Sequence, residues 1–220
     1  MLLLVLDTST PAVTTALVDV TGDGAPSLVA QQVTIDPRRH GEVLVPSVHE
    51  VLAQAGLTTG DVAAVVAGVG PGPYTGLRVG LVTALALADA LAVPAYGACS
   101  LDGLAAPPPG GRLLVATDAR RREVYWAAYD QQGTRTSGPA VDRPADIDVT
   151  GCDLARGAGA VMYADVLGLP VEPPEYPAAL ALAGLAADRA LGGAPSEPLA
   201  PIYLRRPDTA PPGRPKAVLR

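Results

Sequence analysis

Phenylalanine is absent from this 220-residue chain, which also has one tryptophan, one lysine, two histidines and two cysteines. Each scarcity removes a class of reading. Cys99 and Cys152 lie far apart and outside any C-x-x-C pattern, which argues against a disulfide framework and predicts reduced thiols in a cytoplasmic protein. Two histidines, His40 and His49, cannot make a zinc site of the finger type. The single lysine is Lys216, so the Walker A pattern G-x-x-x-x-G-K-[ST] occurs nowhere. Charged residues make up only 17% of the chain, and a formal net charge of −6 is the wrong sign for gripping nucleic acid over much of its own surface. The excess of arginine over lysine fits GC-rich coding and carries no functional weight.

Long apolar runs are also missing. "MLLLVL" has no positive n-region and stops at Asp7, and the run over 77–93 is interrupted by Arg78 and Asp89. The first reads as a core strand and the second as a buried helix, so no membrane partner is expected.

What is present is a globular composition, 49% hydrophobic, long enough for one large domain or two small lobes. Apolar runs predict strands over 2–6, 13–20, 28–35 and 62–69, with a further strand inside 157–167. Leu44, Val48, Val51, Leu52 and Ala55 recur at helical spacing before Gly56, with Pro46 near the first turn or kinking the helix. Two more helices are expected over 75–91 and 178–191. The opening of the chain returns in its second half: "LLLVLDTSTPAVTTALVD" and "RLLVATDARRREVYWAAYD" each run strand, Asp, short turn, strand. Asp19 follows Asp7 by twelve residues and Asp130 follows Asp118 by twelve, a match that favours duplication. The division falls in "APPPGG", giving an N-terminal lobe over 1–105, a C-terminal lobe over 106–206 and a flexible tail over 207–220. That tail is Pro-rich and mildly basic and reads first as a solvated terminus.

"GPGPYTGLRVG" stands out by its glycines. Gly70, Gly72 and Gly76 are spaced G-x-G-x-x-x-G, which departs from the dinucleotide fingerprint. A mechanical reading fits better: a tight turn, Thr75 as helix N-cap, and a small-residue face of Gly76, Gly80, Ala84 and Ala88 that admits a close neighbouring helix. The turns "DTST" and "DARR" offer Asp7, Thr8, Ser9, Asp118 and Arg120 as remnants of a nucleotide site. Neither turn contains a glycine, and both aspartates read more simply as strand-end caps that bond turn amides. His40 with Glu42 could form an acid/base pair, although a histidine near a helix start is more often a cap or surface residue. Ser9 and Ser100 have no histidine at a recognisable motif spacing, so a serine-hydrolase triad is unsupported.

Together "LDTST", "RRHGEVLVPSVHEVL", "GVGPGPYTGLRVGL", "VPAYGACSLDGLA", "DARRREVYWAAY" and "PIYLRR" resemble the TsaB family, bacterial partners of TsaD in making threonylcarbamoyladenosine in tRNA. One departure is Gly41, where the family usually has Ser. The resemblance implies the two-lobed actin-like, Hsp70-like and sugar-kinase (ASKHA) fold, α/β, each lobe a mixed sheet with flanking helices. It also implies a non-catalytic paralogue of TsaD, because Ser100 and Leu104 stand where TsaD carries its metal-binding histidines, and neither makes a good ligand there. No catalytic residue, metal or cofactor is then expected on this chain, with ATP and metal used by partner proteins. The implied partners are a TsaD-like subunit and a TsaE-like ATPase, a second copy of the chain when alone, and tRNA only indirectly. The expected partner interface is Gly76, Arg78, Val79, Gly80, Val82 and Thr83. The competing expectation is a stand-alone nucleotide hydrolase of the same superfamily or a peptidase-like hydrolase.

Overall fold

A computed structural model describes residues 1–22, 25–106 and 110–205, so the expected tail over 207–220 lies outside the described residues. The first half folds as β1 (Leu2–Asp7), β2 (Ala12–Asp19), β3 (Ser27–Ile35), α1 (His40–Ala55), β4 (Ala64–Gly68), α2 (Tyr74–Leu91) and β5 (Ala95–Ala98), followed by the short α3 (Asp102–Ala105). The second half continues with β6 (Leu113–Asp118), β7 (Val124–Tyr129), β8 (Arg135–Asp142), β9 (Leu154–Arg156), α4 (Ala158–Met162), α5 (Ala164–Leu167), β10 (Val171–Glu172) and α6 (Ala179–Leu191).

Two five-stranded sheets result, ordered β3-β2-β1-β4-β5 and β8-β7-β6-β9-β10. In each, the first three strands in sequence pair antiparallel and the last two pair parallel. The duplication expected from the two openings is therefore present as one topology used twice.

Burial follows the pleat. Leu4 and Leu6 of β1 face one side, where they meet Leu44, Val48, Val51 and Leu52 of α1 and Leu81 and Ala84 of α2. Leu3 and Val5 face the other side and meet Ala179, Leu182, Ala183 and Ala186 of α6. With both faces covered, β1 and β4 read as unbroken apolar runs, because alternation survives only where one face is wet. A division near residue 106 groups α6 with the second half, yet α6 packs on the first sheet. The chain then runs along the β5 edge: Ser196 Oγ accepts from the Ala95 amide at 3.0 Å and the Glu197 amide donates to the Ala95 carbonyl at 2.9 Å. This return covers an edge that would otherwise expose unpaired backbone groups.

Two local expectations change, and the placements open to Pro46 narrow to one. Helix α2 begins at Tyr74 after an extended Pro73, so Thr75 is a helical residue, and no side chain caps this end. Pro46 lies well inside α1, where it removes the bond to the Glu42 carbonyl, and the Ser47 hydroxyl donates to Val43 O at 2.9 Å beside it. The strand expected inside 157–167 is replaced by α4 and α5, because Gly157, at φ 103°, turns the chain after β9. A short apolar run such as "AGAVM" fits either element by periodicity alone.

Candidate functional site

The two strand-end turns face a common cleft of about 270 Å³. Its lining includes Thr8 and Thr10 from the first turn, Arg38 from the segment before α1, His40 at the start of α1, Tyr74, Thr75, Gly76 and Val79 from α2, and Asp118 and Arg120 from the second turn. The sequence repeat explains why Asp7 and Asp118 occupy equivalent strand ends, but the two differ in surroundings.

Asp7 is buried and fully engaged. Its Oδ1 accepts from the Ser9 amide at 3.0 Å and the Ser9 hydroxyl at 2.8 Å, and its Oδ2 accepts from the Ser100 hydroxyl at 2.6 Å. Ser100 Oγ in turn accepts from the Gly70 amide at 3.1 Å. Burial pushes the Asp7 carboxyl up from its ordinary range, against the opposing pull of the Ser100 and Ser9 hydrogen bonds. One carboxylate thus ties the end of β1 to the loop after β4 and the loop after β5. Ser100 and Leu104 are both buried, Ser100 in this network and Leu104 in the core under β6.

The glycines close around the same turn. A Cβ on Gly68 would lie 1.8 Å from Asp7 Oδ2, one on Gly72 2.3 Å from the Ser9 carbonyl, and one on Gly80 2.2 Å from Thr8 Oγ1. Thr8 Oγ1 donates to the Gly76 carbonyl at 2.8 Å. The glycine half of the small-residue face of α2 is therefore filled by the chain's own first turn, while Ala84 and Ala88 pack in the core. Gly76 and Gly80, expected at a partner interface, are buried beneath Thr8 and are not on an outward surface. Of the other interface expectations, Arg78 and Val82 are exposed, and Val79 and Thr83 are half-buried.

Thr8 and Ser9 spend their polar groups on this packing. His40 and Glu42 do not form an acid/base pair, the less favoured of their two readings: His40 Nε2 donates to the Thr10 carbonyl at 2.8 Å, and Glu42 pairs with Arg39 at 2.9 Å. Asp118 and Arg120 do face the cleft, with Asp118 Oδ1 accepting from the Arg120 amide at 2.8 Å. Among the described residues no three His, Cys, Asp or Glu side chains lie together as metal ligands would.

Two residues escaped sequence reasoning. Tyr203 stacks on Tyr74 with ring centroids 5.0 Å apart, and Arg78 lies over the Tyr74 ring at 5.2 Å. Arg205 donates to the Ala119 carbonyl at 2.8 Å and pairs with Glu123, joining the C-terminal segment to the second turn. Their only signal was the block "PIYLRR", which carries no periodicity to say what it touches.

Comparison with known proteins places this geometry. Residues 29–190 match the family described as TsaD, tRNA N6-adenosine threonylcarbamoyltransferase. A protein of Mycobacterium tuberculosis described as uncharacterized is 47% identical over 94% of this chain and 93% of its own. The tRNA threonylcarbamoyladenosine biosynthesis protein TsaB of Escherichia coli is 35% identical over 60% of this chain and 56% of its own. The solved structure of YeaZ from Pseudomonas aeruginosa superposes with a TM-score of 0.75 at 30% identity, covering 92% of this chain and 99% of that one. The two matched sheets form the two-lobed, actin-like α/β fold expected above, and the chain belongs to the TsaB (YeaZ-type) family, related to the TsaD transferases.

Proposed function

We propose that this chain serves tRNA threonylcarbamoyladenosine biosynthesis as a non-catalytic subunit that holds a TsaD-type transferase on the outward stripe of α2. The observation that carries the reading is the fate of the first turn. Asp7 is locked by Ser9 and Ser100, His40 is committed to a backbone carbonyl, and the loop glycines are filled by Thr8 and Ser9. What an acyl-transfer enzyme would need free, this chain spends on its own packing.

The same helix leaves an apolar stripe outside. Tyr74 is 48% exposed, Val82 61% and Leu85 42%, and Val45 of the adjoining α1 is 45% exposed. Aromatic and aliphatic anchors beside one arginine make a composition suited to the core of a protein interface. A TsaD-type partner of the same family would bring a similar pair of helices to it, and a second copy of this chain could occupy the stripe in the partner's absence. A TsaE-type ATPase would dock on that pair, and ATP and metal chemistry would reside in the partners.

The test is complex formation with a TsaD-type subunit. Val82→Glu, on an exposed position, should weaken the complex at least about tenfold while leaving the fold intact, because a carboxylate would have to be desolvated at the contact. Undiminished binding by the folded variant would remove α2 from the interface.

A further inference from the structure

The chain carries an excess of negative charge, yet positive groups gather at the mouth of the cleft between the two turns. Arg38 and Arg120 line it from separate elements, and Arg122 follows two residues further along the second turn. Of the acidic groups nearby, Glu42 pairs with Arg39 and Glu123 with Arg205, while Asp36 and Asp118 each accept one backbone amide, from Arg38 at 2.9 Å and from Arg120 at 2.8 Å, and keep their charge. Arg38, Arg120 and Arg122 make no ion pair among the described residues.

The second turn is also strained. Arg120, Arg121 and Arg122 have φ of 61°, 55° and 63°, three consecutive non-glycine residues in the left-handed region. Each costs roughly 1–2 kcal/mol, and such a conformation persists only where its surroundings hold it. Arg205 supplies part of that hold through the Ala119 and Arg120 carbonyls and Glu123. A run of three arginines is thus kept in an expensive backbone shape, and the first of them, Arg120, lines the cleft.

We infer that Arg38 and Arg120 at the cleft, with the exposed Arg122 next along the second turn, bind the phosphodiester backbone of an RNA strand. The choice of RNA rests on the tRNA-modification reading above, whereas the charge and geometry do not. A mononucleotide fits less well, because the Ser9 amide is already held by Asp7 and the loop glycines are closed against Thr8 and Ser9, leaving few backbone donors for a terminal phosphate. Cations set along a rim from two elements suit an extended polyanion, whose affinity comes from displaced counterions. The overall negative charge keeps the contact local, so this surface would guide an RNA held mainly by other subunits.

The experiment titrates the full chain, alone, with a labelled unmodified tRNA transcript at about 50 mM and about 200 mM salt. Arg38→Glu and Arg122→Glu should each weaken binding at least about fivefold and make the salt dependence shallower by about one counterion per side chain. Arg143→Glu, on an exposed residue outside the cleft lining, should leave both unchanged. Arg38 lies outside the strained turn, so its variant decides the matter if Arg122→Glu misfolds. Equal RNA affinity of all these proteins, or a wild-type affinity weaker than about 10⁻⁴ M at the lower salt, overturns the inference. Displacement of the RNA by micromolar ATP or inorganic phosphate also overturns it, by making the cleft a mononucleotide site. The same variants are then mixed with the TsaD-type subunit. Complex formation retained while RNA binding is lost supports the inference; complex lost with RNA affinity unchanged reassigns this rim to the partner and overturns it. Failure of the RNA arm leaves the partner reading to be judged by Val82→Glu.

Discussion

The turn after β1 and the turn after β6 begin alike, with an aspartate at the end of a buried strand, and end in opposite environments. Asp7 is sealed by two serines and by glycines that bring other segments against it. Asp118 is half-buried, holds one amide and opens onto the cleft beside strained arginines. The antiparallel ladders show where they part: Asp7 pairs with Thr14, whereas Asp118 pairs with Val124, so the second turn is one residue shorter. One duplicated unit has become a packing centre in one copy and an exposed basic turn in the other. A matched motif therefore sets the local topology, while burial and partners decide use.

Replacing each aspartate sets the comparison its hardest test. Asp7→Ala removes the acceptor for two hydroxyls and an amide in a dry site and should cost about 3 kcal/mol, read by denaturant unfolding. Asp118→Ala loses one bond at a wetter position and should cost about 1 kcal/mol or less. Equal costs would break the contrast.

A smaller effect separates burial from hydrogen bonding at Asp7. Because burial raises its folded pKa above the unfolded value, the folded state binds this proton more tightly, and stability falls as pH rises from the unfolded carboxylate range through the folded value. The contribution is complete below that range and lost above the folded pKa. Asp7→Asn cannot titrate, so the stability of the wild type relative to Asp7→Asn should decline across this window. Taking the difference cancels other carboxylates such as Glu197, whose pairing with Arg189 works in the opposite direction. A difference that stays flat, or grows, with pH would mean that the serine bonds outweigh desolvation.

Much of the fold was legible because its signals are local or periodic. The apolar strands of the first sheet, the helical spacing of Leu44 through Leu52 and the repeated strand pair all appear in the sequence and in the structure. The site was less legible because its contacts are distant. Ser100 reaches Asp7 across 93 positions and Thr8 reaches Gly76 across 68. Spacing within "GPGPYTGLRVG" shows that α2 has a small face, but not which neighbour fills it. At Gly76 and Gly80 the neighbour is the chain's own DTST turn, where the small face was expected to admit a helix. Short elements such as α4 and β10 fall below the length at which periodicity discriminates. The bracing of the second turn by Arg205 depends on a C-terminal segment with no regular structure.

On the function proposed above, this chain supports threonylcarbamoyl transfer to tRNA without contributing a reacting group. Transfer reconstituted from the other pathway components, with this chain omitted, supplied as wild type, or supplied as Asp7→Asn, tests it most directly. Little product is expected without the chain and near wild-type product with Asp7→Asn, since the amide matches the carboxyl in size and its oxygen can still accept from Ser9. Full activity without the chain, or loss of transfer in an Asp7→Asn protein that still folds and still binds the TsaD-type subunit, would contradict it.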